Sequence, residues 1–195
     1  MFGNSNNTVD RKFLRFSEAV REYFSFLETQ WEFTCVREED TFVRYERGDL
    51  YVNVYHGRVS FEIGVEVGRE SLEHGFPLAA LVSLSDKGLA RKYWPGGART
   101  VTAVRKVVQA ASEGLSRYGV AALAGDQATF SSLEQLRAER IAAMVRDSIA
   151  VQVRPKAEAA FRRRDYKEAA TLYFSIEDSL SPVERKKLEI AKKRA

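Results

Sequence analysis

Residues 41–67 read TFVRYERGDLYVNVYHGRVSFEIGVEV, and this stretch decides the fold. Three runs alternate apolar with polar residues, the period-two pattern of half-buried strands. Gly48-Asp49 and Gly57-Arg58 separate them. Each reads as a two-residue loop with glycine where a tight hairpin needs it. The stretch is therefore expected to be a β-meander. Residues 31–36, WEFTCV, alternate in the same way and add a fourth strand through the acidic turn Glu38-Glu39-Asp40.

A three-residue loop at that turn sets the pairing. Phe33, Tyr45, Val52 and Ile63 then fall in one row, and Cys35, Val43, Val54 and Phe61 in the next. Both rows are apolar and face the core. The other face collects Thr34, Arg44, Asn53 and Glu62, flanked by Glu46, Tyr51 and Gly64 and by Phe42, Tyr55 and Ser60. A register slip by one residue would turn every side chain over, so a consistent apolar face supports the pairing. Tyr51 opposite Gly64 would cover a strand glycine.

Helices flank the meander. The first eight residues are polar and expected to fray. Asp10 is the expected N-cap of a helix running to about Gln30. Its apolar stripe is Phe13, Phe16, Val20, Phe24 and Leu27. Residues 69–74 read as a turn or short helix and 77–84 as an apolar helix start. Trp94-Pro95-Gly96-Gly97 carries two breakers, which places a boundary there and divides the chain into 1–97 and 98–195. Beyond it, Val101, Val104, Val108, Ala111, Leu115 and Tyr118 form a helical seam closed by Gly119. Ser131 with Glu134 reads as a capping box. Leu133, Leu136, Ile141, Met144, Ile149 and Val153 mark a long helix that Pro155 should end or kink. Asp165-Tyr166 breaks the next segment, and Ser181-Pro182-Val183-Glu184 opens a last helix. The expected fold class is α+β: an antiparallel meander of about four strands on an N-terminal helix, then a C-terminal helical bundle.

Ala157, Phe161, Asp165-Tyr166-Lys167-Glu168-Ala169, Tyr173 and Pro182 together resemble one tetratricopeptide repeat over about 26 residues. Ile176 stands where that pattern prefers alanine, and Pro155 intrudes on its first helix. The resemblance implies a helix-turn-helix geometry. In its order of helix, meander and helices, the amino-terminal part is similar to small bacterial proteins that include immunity proteins paired with secreted toxins.

Composition excludes several chemistries. The 195 residues are 45% hydrophobic and 30% charged, enough apolar content for a sizeable core. No apolar run reaches the roughly 18 residues of a membrane-spanning helix, so no membrane partner is expected. The start MFGNSNNTVD lacks the basic and apolar segments of a secretory signal, and a cytoplasmic location is expected. Cys35 is the only cysteine, so no internal disulfide forms, and it reads as a small buried hydrophobe. No G-x-G-x-x-G, phosphate-binding loop or H-E-x-x-H motif occurs. His56 and His74 lie eighteen residues apart, which is no metal-ligand spacing, and neither metal nor cofactor is expected. His56 reads as a solvated turn residue and His74 as a loop residue. Glu62 and Glu66 share a sheet face, but four strand residues put them roughly 13 Å apart. Paired carboxylates need about 5 to 9 Å.

Two candidate surfaces remain. The first is the polar sheet face with Phe42, Arg44, Tyr51, Asn53, Tyr55 and Glu62, since exposed aromatics beside arginine suit protein contacts. The same residues also fit a plain cross-strand polar ladder, or a core if helices cover the face. The second is basic. Arg154, Lys156, Arg162, Arg163, Arg164 and Lys167 fall within fourteen residues, and Arg185, Lys186, Lys187, Lys192, Lys193 and Arg194 within ten. The net charge of +4 divides into −3 over residues 1–97 and +7 over 98–195. RNA or DNA could use such a surface, although no base-stacking platform accompanies it, and a solvated helical surface has the same composition. The expected function is a non-enzymatic cytoplasmic protein-interaction module of immunity or adaptor type. The alternative is a polyanion-binding accessory protein, and an enzyme is the third reading. Oligomeric state is not legible.

Overall fold

Gly48 adopts φ 59°, a left-handed conformation that glycine enters without steric cost. It turns β2 (Phe42–Arg47) into β3 (Leu50–His56) through the expected two-residue loop. The computed structural model describes residues 11–195; the polar start at 1–8 and the N-cap expected at Asp10 lie outside the described residues. The fold is α+β. A 3-10 turn (Arg11–Leu14), α1 (Phe16–Tyr23) and α2 (Phe26–Trp31) precede the sheet. β1 (Thr34–Glu39), β2, β3 and β4 (Glu62–Arg69) form an antiparallel meander. Two short strands the sequence did not disclose, β5 (Phe76–Pro77) and β6 (Gly96–Gly97), both pair with the outer edge of β4. Then follow α3 (Leu78–Ser85, between β5 and β6), α4 (Val101–Tyr118), α5 (Val120–Leu123), α6 (Gln127–Arg162), α7 (Tyr166–Phe174) and α8 (Pro182–Arg194).

The expected boundary at Gly97 moves. The chain divides into two compact units, one ending at Glu134 and one beginning at Gln135. The seam of α4 explains the difference. Val104, Val108 and Leu115 are fully buried, and α4 packs against α1, α3 and β4. The helix read as the start of a separate bundle is the lid of the sheet's own core.

The β2–β3 register is the expected one, with Val43 opposite Val54, Arg44 opposite Asn53 and Tyr45 opposite Val52. The β3–β4 register is not. Val52 pairs with Val67, Val54 with Val65 and Tyr55 with Gly64. The loop after His56 takes five residues rather than two, closed by Gly57 N–H to the Glu62 carbonyl at 2.7 Å. A two-residue hairpin favours positive φ, and here Arg58 would have to supply it beside Gly57. Phe61, expected in the core row, sits in this loop at φ 58°. The displacement is four residues, an even number, so each side chain of β4 keeps its expected face. In the β1–β2 pair Cys35 lies opposite Tyr45 rather than Val43. A bulge at Val36 then shifts the partners, and the turn is Asp40-Thr41. Cys35 is half-buried rather than buried. Burial pushes its thiol up, against a weaker pull from Arg21, which disfavours the nucleophilic thiolate.

The N-terminal stripe is buried at Phe16, Val20, Phe24 and Leu27 but not at Phe13, which is 75% exposed. The single helix expected there is broken, with Arg15 at φ 52° before α1 and a second break at Phe24-Ser25 before α2. His56 is corrected as well. It is buried, with Nε2 2.9 Å from the Ala98 carbonyl and its ring against Phe16 at 5.5 Å. The Arg11 guanidinium approaches it at 3.2 Å and, together with Arg99, covers the Phe61 ring. Burial holds His56 below its ordinary value of 6.5, with Arg11 acting in the same direction and the Ala98 carbonyl opposing. The unfolded chain therefore takes up a proton more readily than the fold. The stability His56 contributes is complete above 6.5 and drains as pH falls through that value toward the folded pKa. Urea unfolding between pH 7.5 and 5 is expected to show this loss, at a slope of at most about 1.4 kcal/mol per pH unit. His56→Gln should flatten that part of the profile.

In the unit from Gln135 onward, the core is Ala150, Ala157, Ala160, Ala169, Tyr173, Ile176, Leu180, Leu188 and Ala191. Small residues at the contacts let the helix backbones approach. Asp165 caps α7, accepting from the Glu168 N–H at 3.0 Å. Ser181 and Glu184 form the expected capping box of α8. Pro155 neither ends nor delimits α6, which continues to Arg162. The start of α6 is capped by Asp126, which accepts from the Thr129 N–H at 2.8 Å, so the box expected at Ser131 and Glu134 is not the helix start. Ile141, Met144 and Ile149, expected in an apolar seam, are 49%, 71% and 47% exposed. Among the described residues no helix is long and apolar enough to cross a membrane.

Candidate functional site on the sheet

The alternation of β2, β3 and β4 sends Val43, Tyr45, Val52, Val54, Val65 and Val67 into the core. Phe42, Arg44, Glu46, Tyr51, Asn53, Tyr55 and Glu66 share the opposite face by the same period. Most of these side chains are half-buried, and Tyr51 alone is buried. Five of the six expected site residues come together here: Phe42, Arg44, Tyr51, Asn53 and Tyr55. Glu62 does not join them. The longer hairpin carries it to the end of β4, exposed and opposite Gly97. Glu66 takes the place beside Asn53.

Arg44 is the hub of the face. Its guanidinium donates to Glu46 at 2.5 Å, to Glu70 and to Asn53 Oδ1 at 3.4 Å. It also lies over the Tyr51 ring at 4.2 Å. The ladder anticipated between Arg44 and Glu62 thus runs instead to Glu46 and Glu70. Arg37 covers Phe42 at 4.9 Å and pairs with Glu39 at 2.7 Å.

The two tyrosines occupy the space that two glycines leave. Tyr55 lies over Gly64 and Tyr51 over Gly68; a Cβ at either glycine would stand 2.3 Å from the ring. Tyrosine over a strand glycine was the expected device, with a different partner for Tyr51. Gly75 passes close to Tyr51 and to the stem of Glu66, where a Cβ would stand 3.1 Å from Tyr51 Oη. Glu66 therefore sits between two aromatic rings, accepting a hydrogen bond from Asn53. Burial pushes its carboxyl up, and the Asn53 bond opposes that rise. Burial also raises both tyrosines, and the Glu66 charge adds to each. Among the described residues no lysine or arginine forms an ion pair with Glu66. The sequence held a signal for it: Glu66 lies at even spacing from Gly64 and Gly68, so the correct register would have found it.

The basic candidates belong to the unit from Gln135 onward, and several are already engaged there. Arg154 pairs with Glu184 at 3.1 Å, Arg162 with Glu158 at 3.1 Å and Arg163 with Glu168 at 2.9 Å. Lys187 also reaches Glu158, and Arg185 donates to the Leu180 carbonyl at 3.4 Å. Arg164 occupies the turn at φ 65°. Lys156, Arg164, Lys167 and Lys186 are exposed. His74 approaches Glu134 at 3.0 Å and meets the Phe76 ring edge-on at 5.4 Å. Among the described residues no group of three or more His, Cys, Asp or Glu is placed to hold a metal ion.

Comparison with family models, curated proteins and solved structures found no match for this chain.

Proposed function

We propose that the polar face of the meander is a protein-binding surface that receives a basic side chain of its partner between Tyr51 and Tyr55, onto Glu66. The protein is read as a non-enzymatic interaction module of adaptor or immunity type. One observation carries this: Glu66 is a half-buried carboxylate without a cationic partner among the described residues. Withdrawing an unpaired carboxylate from water is unfavourable, and a cation delivered by a partner offsets that cost. Tyr51 already carries the Arg44 guanidinium at 4.2 Å, and the Tyr55 ring, which no lysine or arginine covers among the described residues, adds attraction for a cation. Glu39, Glu46, Glu62, Glu66 and Glu70 outnumber Arg37 and Arg44 on and around this face. An acidic surface of this kind favours a basic partner through encounter rate and specificity.

The test is affinity capture from the source cell with wild-type protein and with Glu66→Gln, each with and without nuclease. The folded protein binds the Glu66 proton more tightly than the unfolded chain, so the ionised carboxylate weakens the fold at neutral pH. Glu66→Gln is therefore expected to unfold at the same or a higher denaturant concentration while losing its captured partner by at least about tenfold. Undiminished capture by the variant overturns the site. Loss of all captured material on nuclease treatment overturns the protein partner and moves the function to the basic helices.

A further inference from the structure

We infer that a second site, at the outer edge of β4, binds a small amphiphilic carboxylate, an apolar acyl or aryl body with one anionic head. β5 pairs with Glu66 and Val67, and β6 with Glu62 and Ile63. Among the described residues no strand lies beside Gly64 and Val65, between them, on that edge. A cavity of about 200 Å³ opens there. Its inner wall is apolar, formed by Ile63 and Val65 of β4, Leu78 of α3 and Val107 of α4. Tyr93 forms another side and is held in place by contact with α4. A Cβ at Gly114 would stand 2.3 Å from its ring, and Tyr118 meets it edge-on at 5.7 Å.

The mouth differs in character from the interior. Lys92, in a 3-10 turn (Leu89–Tyr93), and Lys106 of α4 both line the cavity. Both are exposed, and among the described residues neither pairs with a carboxylate. Trp94 completes the rim at 66% exposure, a large apolar surface left in water where a ring with a polar edge suits an apolar-to-wet boundary. An apolar interior under two unmatched ammonium groups selects a ligand apolar at one end and anionic at the other. The volume equals that of about seven water molecules in the liquid, which fits a medium-chain carboxylate of about the size of octanoate. This site is separate from Glu66 and stands or falls independently of the protein-binding face.

Sodium octanoate is the probe. Trp31→Phe leaves Trp94 as the only tryptophan, so its fluorescence reports on the mouth, and calorimetry gives an independent binding curve. Saturable binding of octanoate is expected below its micelle concentration. Octan-1-ol and octylamine, which match the chain but not the charge, should bind at least about tenfold more weakly. Lys92→Gln with Lys106→Gln should weaken octanoate by a similar factor while unfolding at the unchanged denaturant midpoint. Ala111→Leu, which places a larger side chain in the cavity, should block all three probes. Absence of saturable octanoate binding overturns the site. Octylamine binding as tightly as octanoate, or unchanged affinity in the double lysine variant, overturns the assignment of an anionic head.

Discussion

Replacing Phe16 with alanine is expected to cost about 3–5 kcal/mol in urea unfolding, the range for deleting a buried aromatic ring. Phe16 opens α1 at 1% exposure, and its ring lies 5.5 Å from that of His56. The deletion leaves a void beside a buried imidazole. Phe13 belongs to the same sequence stripe and is 75% exposed, so Phe13→Ala should stay within about 0.5 kcal/mol. A loss below about 1 kcal/mol for Phe16→Ala would mean that α1 does not close the core.

That pair of phenylalanines shows how far the sequence could be read. Periodicity assigns a face, and it placed Phe16, Val20, Phe24 and Leu27 correctly. It carries no information on where a helix breaks, and the left-handed Arg15 puts Phe13 outside the stripe's burial. The meander behaves in the same way. Apolar alternation fixed the inward face of β2, β3 and β4, because parity survives any even displacement. The register of β3 on β4 depends on loop length, which the chain sets by closing five residues at Gly57. Glu62 and Glu66 both satisfy the parity, so they exchanged roles in the candidate site. β5 and β6 were invisible because two-residue strands have no period. His56 was misread because its burial comes from Phe16, Ala98 and Arg11, all distant in sequence.

Tyr173→Ala is expected to be as costly, about 3–5 kcal/mol, with the damage confined to residues 135–195. The core there contains five alanines among nine residues, so Tyr173, at 1% exposure, is its largest member. Its hydroxyl donates to Glu158 at 3.0 Å. The same carboxyl accepts from Lys187 and, at 3.1 Å, from Arg162, and the Lys187 bond first of all holds it below its ordinary value. Burial, and then Glu158, push the tyrosine up. A unit this small has little stability in reserve. Hydrogen exchange should show protection lost after Gln135 and kept in β2, β3 and β4. Tyr173→Phe retains the ring and leaves Glu158 with its two cations, so it should cost only about 1 kcal/mol. Equal losses for the two variants would mean that the hydroxyl, rather than the ring, holds the helices.

The way the sheet ends on each side bears on solubility. An open strand edge is a template for another chain, and long flat edges lead to aggregation. On the β4 side that template is interrupted, because β5 and β6 occupy two separate stretches and leave only Gly64 and Val65 between them. A two-residue gap is too short to nucleate an added strand. On the other side, β1 presents a bulge at Val36 followed by the exposed charges Arg37, Glu38 and Glu39. The irregular backbone spoils the hydrogen-bond spacing an incoming strand would need, and that strand would also have to strip water from three ionised side chains. Among the described residues, neither edge of the meander therefore gives an added strand a long, regular template.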